Sequence, residues 1–362
     1  MRDGEHIRPL TSLRFFAALW VVLFHYWPKL DGPAAPAIVE RGYLGVELFF
    51  TLSGFILCHV YLKRFGEGGF TYGSFLWNRL ARVYPLHLFC LVGVGALALA
   101  ATAAGFGVDP NILSWPSLPA NLLLVHAWGF APAAGWNHPS WSISAEWFAY
   151  LSFPAFAAVA WALRKRPWLF AAIAIGFVAV IHPLFQSLAG FPLSRATIAW
   201  GALRIVPCFF LGCAMHRLWR SQQVPGRKGP WGALFFGAAV MLAAQAGAPD
   251  AVIVMGFGGL ILYLAHLAET GIRLGSERAF VYLGEISYSV YMICIPWMIV
   301  FVNAAAKLLS LPDEKLPLPV WMFLLIAVVP LSAASYHLVE KPARERMKLI
   351  ADGWKQRRVA AA

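Results

Sequence analysis

The sequence predicts an all-α integral membrane protein, a bundle of about ten transmembrane helices with both termini in the cytoplasm. Three observations predict it. Hydrophobic residues make up 60% of the 362-residue chain and charged residues only 13%, whereas a soluble domain carries about 25% charged residues. The apolar residues gather in blocks of about 20, the length that crosses a bilayer core as a helix. The Lys and Arg residues between these blocks fall mainly on one side, as the positive-inside rule requires of cytoplasmic loops.

The blocks place spans near 11–28, 43–63, 84–105, 142–163, 168–188, 200–219, 231–247, 251–268, 279–302 and 319–340. They are too many and too long for a single signal peptide. Gly247-Ala248-Pro249-Asp250 is a turn signal that divides the seventh span from the eighth. Sixteen Trp and eleven Tyr suit interfacial belts. An even number of spans puts both ends of the chain on one side. If that side is the cytoplasm, 23 of the 29 Lys and Arg lie inside, five lie outside, and Arg204 falls within a span. This makes a multi-pass protein of the cytoplasmic (inner) membrane. It also assigns the net charge of +12 to a collar on the bilayer surface, so no nucleic-acid partner is expected. Residues 1–345 form the membrane domain and 346–362 a basic cytoplasmic tail. The longest loop, 106–141, carries Trp115, Trp128 and Trp136 but no Lys or Arg, and is expected against the outer face. Cys58, Cys90, Cys208, Cys213 and Cys294 all sit in apolar segments without CxxC spacing and read as buried thiols.

Ionisable residues inside a membrane are costly and point to function. His25, Glu47 and Glu146 fall near the outer ends of their spans, as do Arg204 and His182. His25 is the candidate base, because a neutral imidazole takes up a proton near neutral pH. Glu47 is a candidate to orient it. Arg14 precedes His25 by eleven residues, roughly three helical turns plus 20°, so both share one face with an axial separation of about 16 Å. A long substrate with an anionic head and a reactive tail would fit that stripe. Arg79 and Arg82 stand at i and i+3 just before the third span, with Tyr84-Pro85 marking where its helix begins. Two guanidinium forks can grip phosphates; read blandly, they are topology charge. Arg204 either binds an acceptor or neutralises a carboxylate on a neighbouring helix. No cluster has metal-ligand spacing, so no metal is expected.

These residues lie in segments that resemble the acyltransferase-3 family of bacterial membrane acyltransferases. The likeness runs from about Leu10 to Pro342. "LTSLRFFAALWVVLFH" is similar to the family's first span, with its arginine and histidine on Arg14 and His25. "GVELFFTLSGFIL" puts the second-span acid on Glu47, and "RLAR" falls where the family has an arginine pair. "WSISAEWFAYLSFP" places a tryptophan on Trp141 and a carboxylate on Glu146, while "ISYSVYMICIP" and "LVEKP" resemble late motifs. The chain departs from the family pattern at Thr11-Ser12, at Trp147 and at Cys294-Ile295, so no role is carried over to those positions. The family's optional extracellular esterase-like domain is not expected, since little sequence follows the last predicted span.

The resemblance implies O-acylation, usually acetylation, of a carbohydrate or other hydroxyl acceptor from an acyl-coenzyme A donor substrate. No permanently bound cofactor is expected. On this reading Arg14, Arg79 and Arg82 hold the coenzyme A phosphates, and His25 is the general base with Glu47 beside it. Trp141, Glu146 and Arg204 are the acceptor-side candidates. An acyl-histidine intermediate is the competing route. The rival function is a transporter or carrier of an acylated glycan, which intramembrane charges would also suit.

Overall fold

The computed structural model describes residues 6–360 except 106, 110 and 312. Among them the chain is built from helices: α1 (Arg8–Tyr26), α2 (Ala37–Glu40), α3 (Gly45–Gly66), α4 (Tyr72–Ala103), α5 (Leu118–Leu122), α6 (Trp141–Leu151), α7 (Phe153–Ala162), α8 (Pro167–Ala189), α9 (Gly201–Ser221), α10 (Trp231–Gln245), α11 (Asp250–Leu267), α12 (Arg278–Glu285), α13 (Ser287–Leu309), α14 (Leu318–Ser335) and α15 (Lys341–Ala360). Among the described residues, eight helical stretches are long and apolar enough to cross a membrane, and the bent pair His138–Leu151 and Phe153–Ala162 makes a ninth if counted as one span. At 15 residues α10 is shorter, and it packs against α11 across the expected turn, where Gly247 has φ 71°.

One expected boundary is corrected, and two of the expected spans are broken. The third span does not begin at Tyr84-Pro85, because α4 starts at Tyr72 and carries Pro85 in its interior. A proline removes one backbone donor, and within a membrane bundle neighbouring groups make good the loss. Arg79 and Arg82 are therefore helical residues inside the bundle wall. The fourth span is not straight: α6 and α7 meet at 54° around Ser152. Pro154 lies at the start of α7, and its ring excludes the carbonyl four residues back, which breaks the ladder there. The ninth span divides at Ile286 into short α12 and long α13. The chain beyond 345 continues as helix α15, and Trp77 of α4 donates from Nε1 to the Met347 carbonyl at 2.7 Å.

The centre of the bundle is the close pairing of α3 with α9. Gly54 and Gly212 make it possible. A Cβ on Gly54 would lie 2.0 Å from the Phe209 carbonyl oxygen, and one on Gly212 would lie 2.0 Å from that of Thr51. Two backbones in such contact need small residues, the usual device where lipid gives no hydrophobic drive between helices. Aromatic rings fill the neighbouring layer, with Phe75 stacked on Phe153 at 4.9 Å. The outward rows remain apolar and exposed: Phe89 and Val92 on α4, Leu184 and Leu188 on α8, Phe323 and Ile326 on α14. Such a girdle suits lipid. All five cysteines are buried and unbridged.

Candidate active site

Two interior cavities stand end to end, and Val46 of α3 and Tyr291 of α13 line both. The first holds Arg14, Arg79, Arg82, Ser53, Glu146 and Tyr150 among apolar walls. Three guanidiniums against one carboxylate leave it positively charged. Arg79 lies over the Tyr61 and Tyr150 rings, 5.6 and 5.9 Å from their centroids, which fixes its plane. The Ser53 hydroxyl donates to Glu146 Oε1 at 2.8 Å.

The second cavity holds His25, His138, Trp141, Arg195 and Arg204. His25 is half-buried, and none of the described residues hydrogen-bonds its ring. His138 is open to the same space. Arg14 and His25 thus share α1 but serve different chambers, as the stripe on one helix face requires.

Glu47 does not orient His25. Its carboxylate is fully buried and takes both prongs of the Arg204 fork, Nε to Oε1 at 2.5 Å and Nη2 to Oε2 at 3.0 Å. The remaining Arg204 nitrogen, Nη1, donates to the Ala196 carbonyl at 2.8 Å. A buried carboxylate needs the partner that best repays its desolvation, and a bidentate guanidinium is stronger than a neutral imidazole. Arg204 is therefore the neutralising partner on a neighbouring helix. It still faces the cavity, with its Cζ 4.5 Å above the Trp141 ring. Glu146 does not share a level with His25 either. It follows Trp141 by five residues, about 7.5 Å along α6, and falls in the chamber of the three arginines.

Comparison with known proteins bears on what this arrangement does. The family described as acyltransferase domain (Acyl_transf_3) matches residues 9–337. The chain belongs to the acyltransferase-3 family. It is 33% identical over 321 residues to the acyltransferase MdmB of Streptomyces mycarofaciens, covering 78% of this chain and 77% of that protein. It is 24% identical over 372 residues to the putative peptidoglycan O-acetyltransferase YrhL of Bacillus subtilis (strain 168), and 22% identical over 383 residues to the O-acetyltransferase OatA of Staphylococcus aureus. Those matches take in 94% and 96% of this chain but 55% and 58% of the two longer proteins. No solved structure matches the chain. Membership makes this an acyltransferase enzyme of the membrane.

The acyltransferase-3 stretch Trp141–Glu146 has a legible local logic. Trp141 stacks on Arg204. Ser142 donates to the Pro139 carbonyl at 3.1 Å. Ser144 donates to the Leu124 carbonyl at 2.8 Å and accepts from the Ala127 backbone at 3.0 Å, pinning the preceding loop onto α6. That loop does not merely lie on a surface. Ser117, Asn121, His126 and Asn137 are buried in it. Pro296 leaves the Met292 carbonyl of α13 without its helical donor, and the Asn137 amide donates to it at 3.4 Å. His138, Tyr291 and Arg195 are cavity residues that sequence reasoning missed. His138 abuts the Trp-Ser motif and Tyr291 lies within "ISYSVYMICIP", and those placements were the available signals; Arg195 carried none.

Proposed function

We propose that the protein transfers an acyl group, acetyl in the usual case, from acyl-coenzyme A to a hydroxyl of a carbohydrate or similar acceptor, with His25 as general base. The observation that carries this reading is the pair of end-to-end cavities: three arginines line one, and the open imidazole of His25 stands in the other, about 16 Å along α1 from Arg14. The cationic chamber suits the coenzyme A phosphates. The acyl-pantetheine arm then passes Val46 and Tyr291 to reach His25.

In the transfer step the acceptor oxygen attacks the thioester carbon while His25 takes the hydroxyl proton. The new C–O bond forms, the C–S bond breaks, and the imidazolium returns its proton to the departing thiolate. Free coenzyme A and an O-acyl ester result, with no other reactant. Glu47 acts through Arg204 as a positioning residue, holding the guanidinium beneath Trp141. With both termini cytoplasmic in the inner membrane, the donor enters from the cytoplasm and the acceptor from the outside.

The test is release of coenzyme A thiol from acetyl-coenzyme A by purified protein supplied with an envelope glycan extract. Wild type should release it in step with ester formation, and His25→Ala should not. Equal turnover by the variant removes the base assignment.

A further inference from the structure

Beyond the His25 cavity lies a third cleft, and Tyr43 and Arg195 line both. The three spaces therefore run in series from the arginine chamber, past His25, to a cleft bordered by Glu40, Arg41, His182, Gln186 and Asp250. If acyl transfer occurs at His25, this cleft is the approach left for the second substrate.

Its charges are not equivalent. Asp250 is taken: Arg41 Nη1 pairs with Oδ1, the Ser194 hydroxyl with Oδ2, and the Tyr43 hydroxyl reaches both oxygens at 2.9 Å. Arg204 is taken by Glu47 and the Ala196 carbonyl. Glu40 lines only the outer cleft, and among the described residues no Asp or Glu lines the His25 cavity. Arg195 differs from the others. It is exposed, and among the described residues no carboxylate pairs with it. Yet it is held in place, with its Cζ 3.6 Å above the Tyr43 ring and 5.5 Å from the ring of Phe24, the residue before His25. Tyr43 is itself clamped by Asp250, so the platform beneath the guanidinium is fixed.

An oriented guanidinium with its fork open at the entrance to a base invites an anionic oxygen. We propose that Arg195 is an acceptor-binding residue that holds a carboxylate or phosphate of the acceptor sugar while one of its hydroxyls faces His25. The enzyme then selects acidic over neutral sugars. This subsite rests on the acyl-transfer reading for its purpose but not for its binding.

Binding of three probes to the purified full chain tests it: methyl glucoside, methyl glucuronide and glucose 1-phosphate. Wild type should bind at least one anionic probe about tenfold more tightly than the glucoside, a difference of about 1.4 kcal/mol. The tighter of the two anionic probes tells carboxylate from phosphate. Arg195→Gln should abolish the preference, Arg195→Lys should keep part of it, and His25→Ala should leave it intact. Equal or undetectable binding of all three probes by wild type overturns the subsite, as does a preference that survives Arg195→Gln. A preference lost in Arg195→Gln, in a protein that never releases coenzyme A, would keep the subsite and sink the acyl-transfer reading instead.

Discussion

Glu47 and Arg204, 157 residues apart in sequence, form a buried two-point ion pair between the first turns of α3 and α9. The near contact of α3 and α9 at Gly54 and Gly212 sets their distance. Cutting the pair on one side leaves the other charge buried without a partner, which costs about 3–5 kcal/mol. Arg204→Met and Glu47→Ala should each lower the unfolding temperature sharply in detergent, while Glu47→Leu combined with Arg204→Met should recover most of the loss. A double variant as unstable as the sum of both singles would show that the two side chains act independently.

The glycines that bring these helices together give a second prediction. Gly54→Ala puts a methyl group where the Phe209 carbonyl stands, at 2.0 Å. The helices must separate, at a cost of about 1–3 kcal/mol or more. Because Glu47 and Arg204 sit on the same two helices, activity should fall along with thermal stability. Full activity in Gly54→Ala would mean that the helix spacing tolerates change.

The donor chamber predicts a binding defect. Arg79→Ala or Arg82→Ala should raise the KM for acetyl-coenzyme A more than it lowers kcat, since phosphate contacts lie far from the reacting carbon. Lysine at either position should rescue only in part, because the fork is lost. Donor affinity unchanged in both alanine variants would reduce the pair to topology charge.

The loop before α6 predicts a pH effect. Burial, with His87 beside it, pushes His126 from 6.5 down to about 3. Its Nε2 lies 3.1 Å from the Ser140 hydroxyl, which donates its own proton to the Asn137 carbonyl and so accepts from the imidazole, and burial keeps the ring neutral. The unfolded loop binds a second ring proton near pH 6.5 and the folded loop does not. Stability of the packed loop should therefore fall as pH drops below about 6.5. Hydrogen exchange over 117–140 should speed up toward pH 4.5 in wild type and change less in His126→Gln. A pH-independent rate in wild type would show that this ring does not control the loop.

Much of this was legible in the chain. Apolar runs of bilayer length gave the helices, since in lipid only a helix or a closed barrel satisfies the backbone. The arginine pair, the Arg14–His25 stripe and a carboxylate partner for Arg204 were readable as well. What failed were inferences from local rules that tertiary context overrides. Pro85 reads as a helix start, yet it sits inside α4. Counting residues from the span ends put Glu146 at a depth similar to that of His25, but α6 begins at Trp141 and carries Glu146 one chamber further. Glu47 paired with the stronger partner, and only the α3–α9 crossing reveals which that is. His138 and Arg195 lie in three-residue 3-10 turns, too short for any periodicity to tell which way a side chain points.

On the proposed function, donor and acceptor meet at His25 from opposite faces of the membrane. Sealed inside-out vesicles carrying the protein, given isotope-labelled acetyl-coenzyme A outside, test it most directly. Label should appear on envelope glycan trapped in the lumen, and His25→Ala vesicles should leave that glycan unlabelled. Label found only when donor and acceptor share one compartment, or found equally with His25→Ala, would contradict the account.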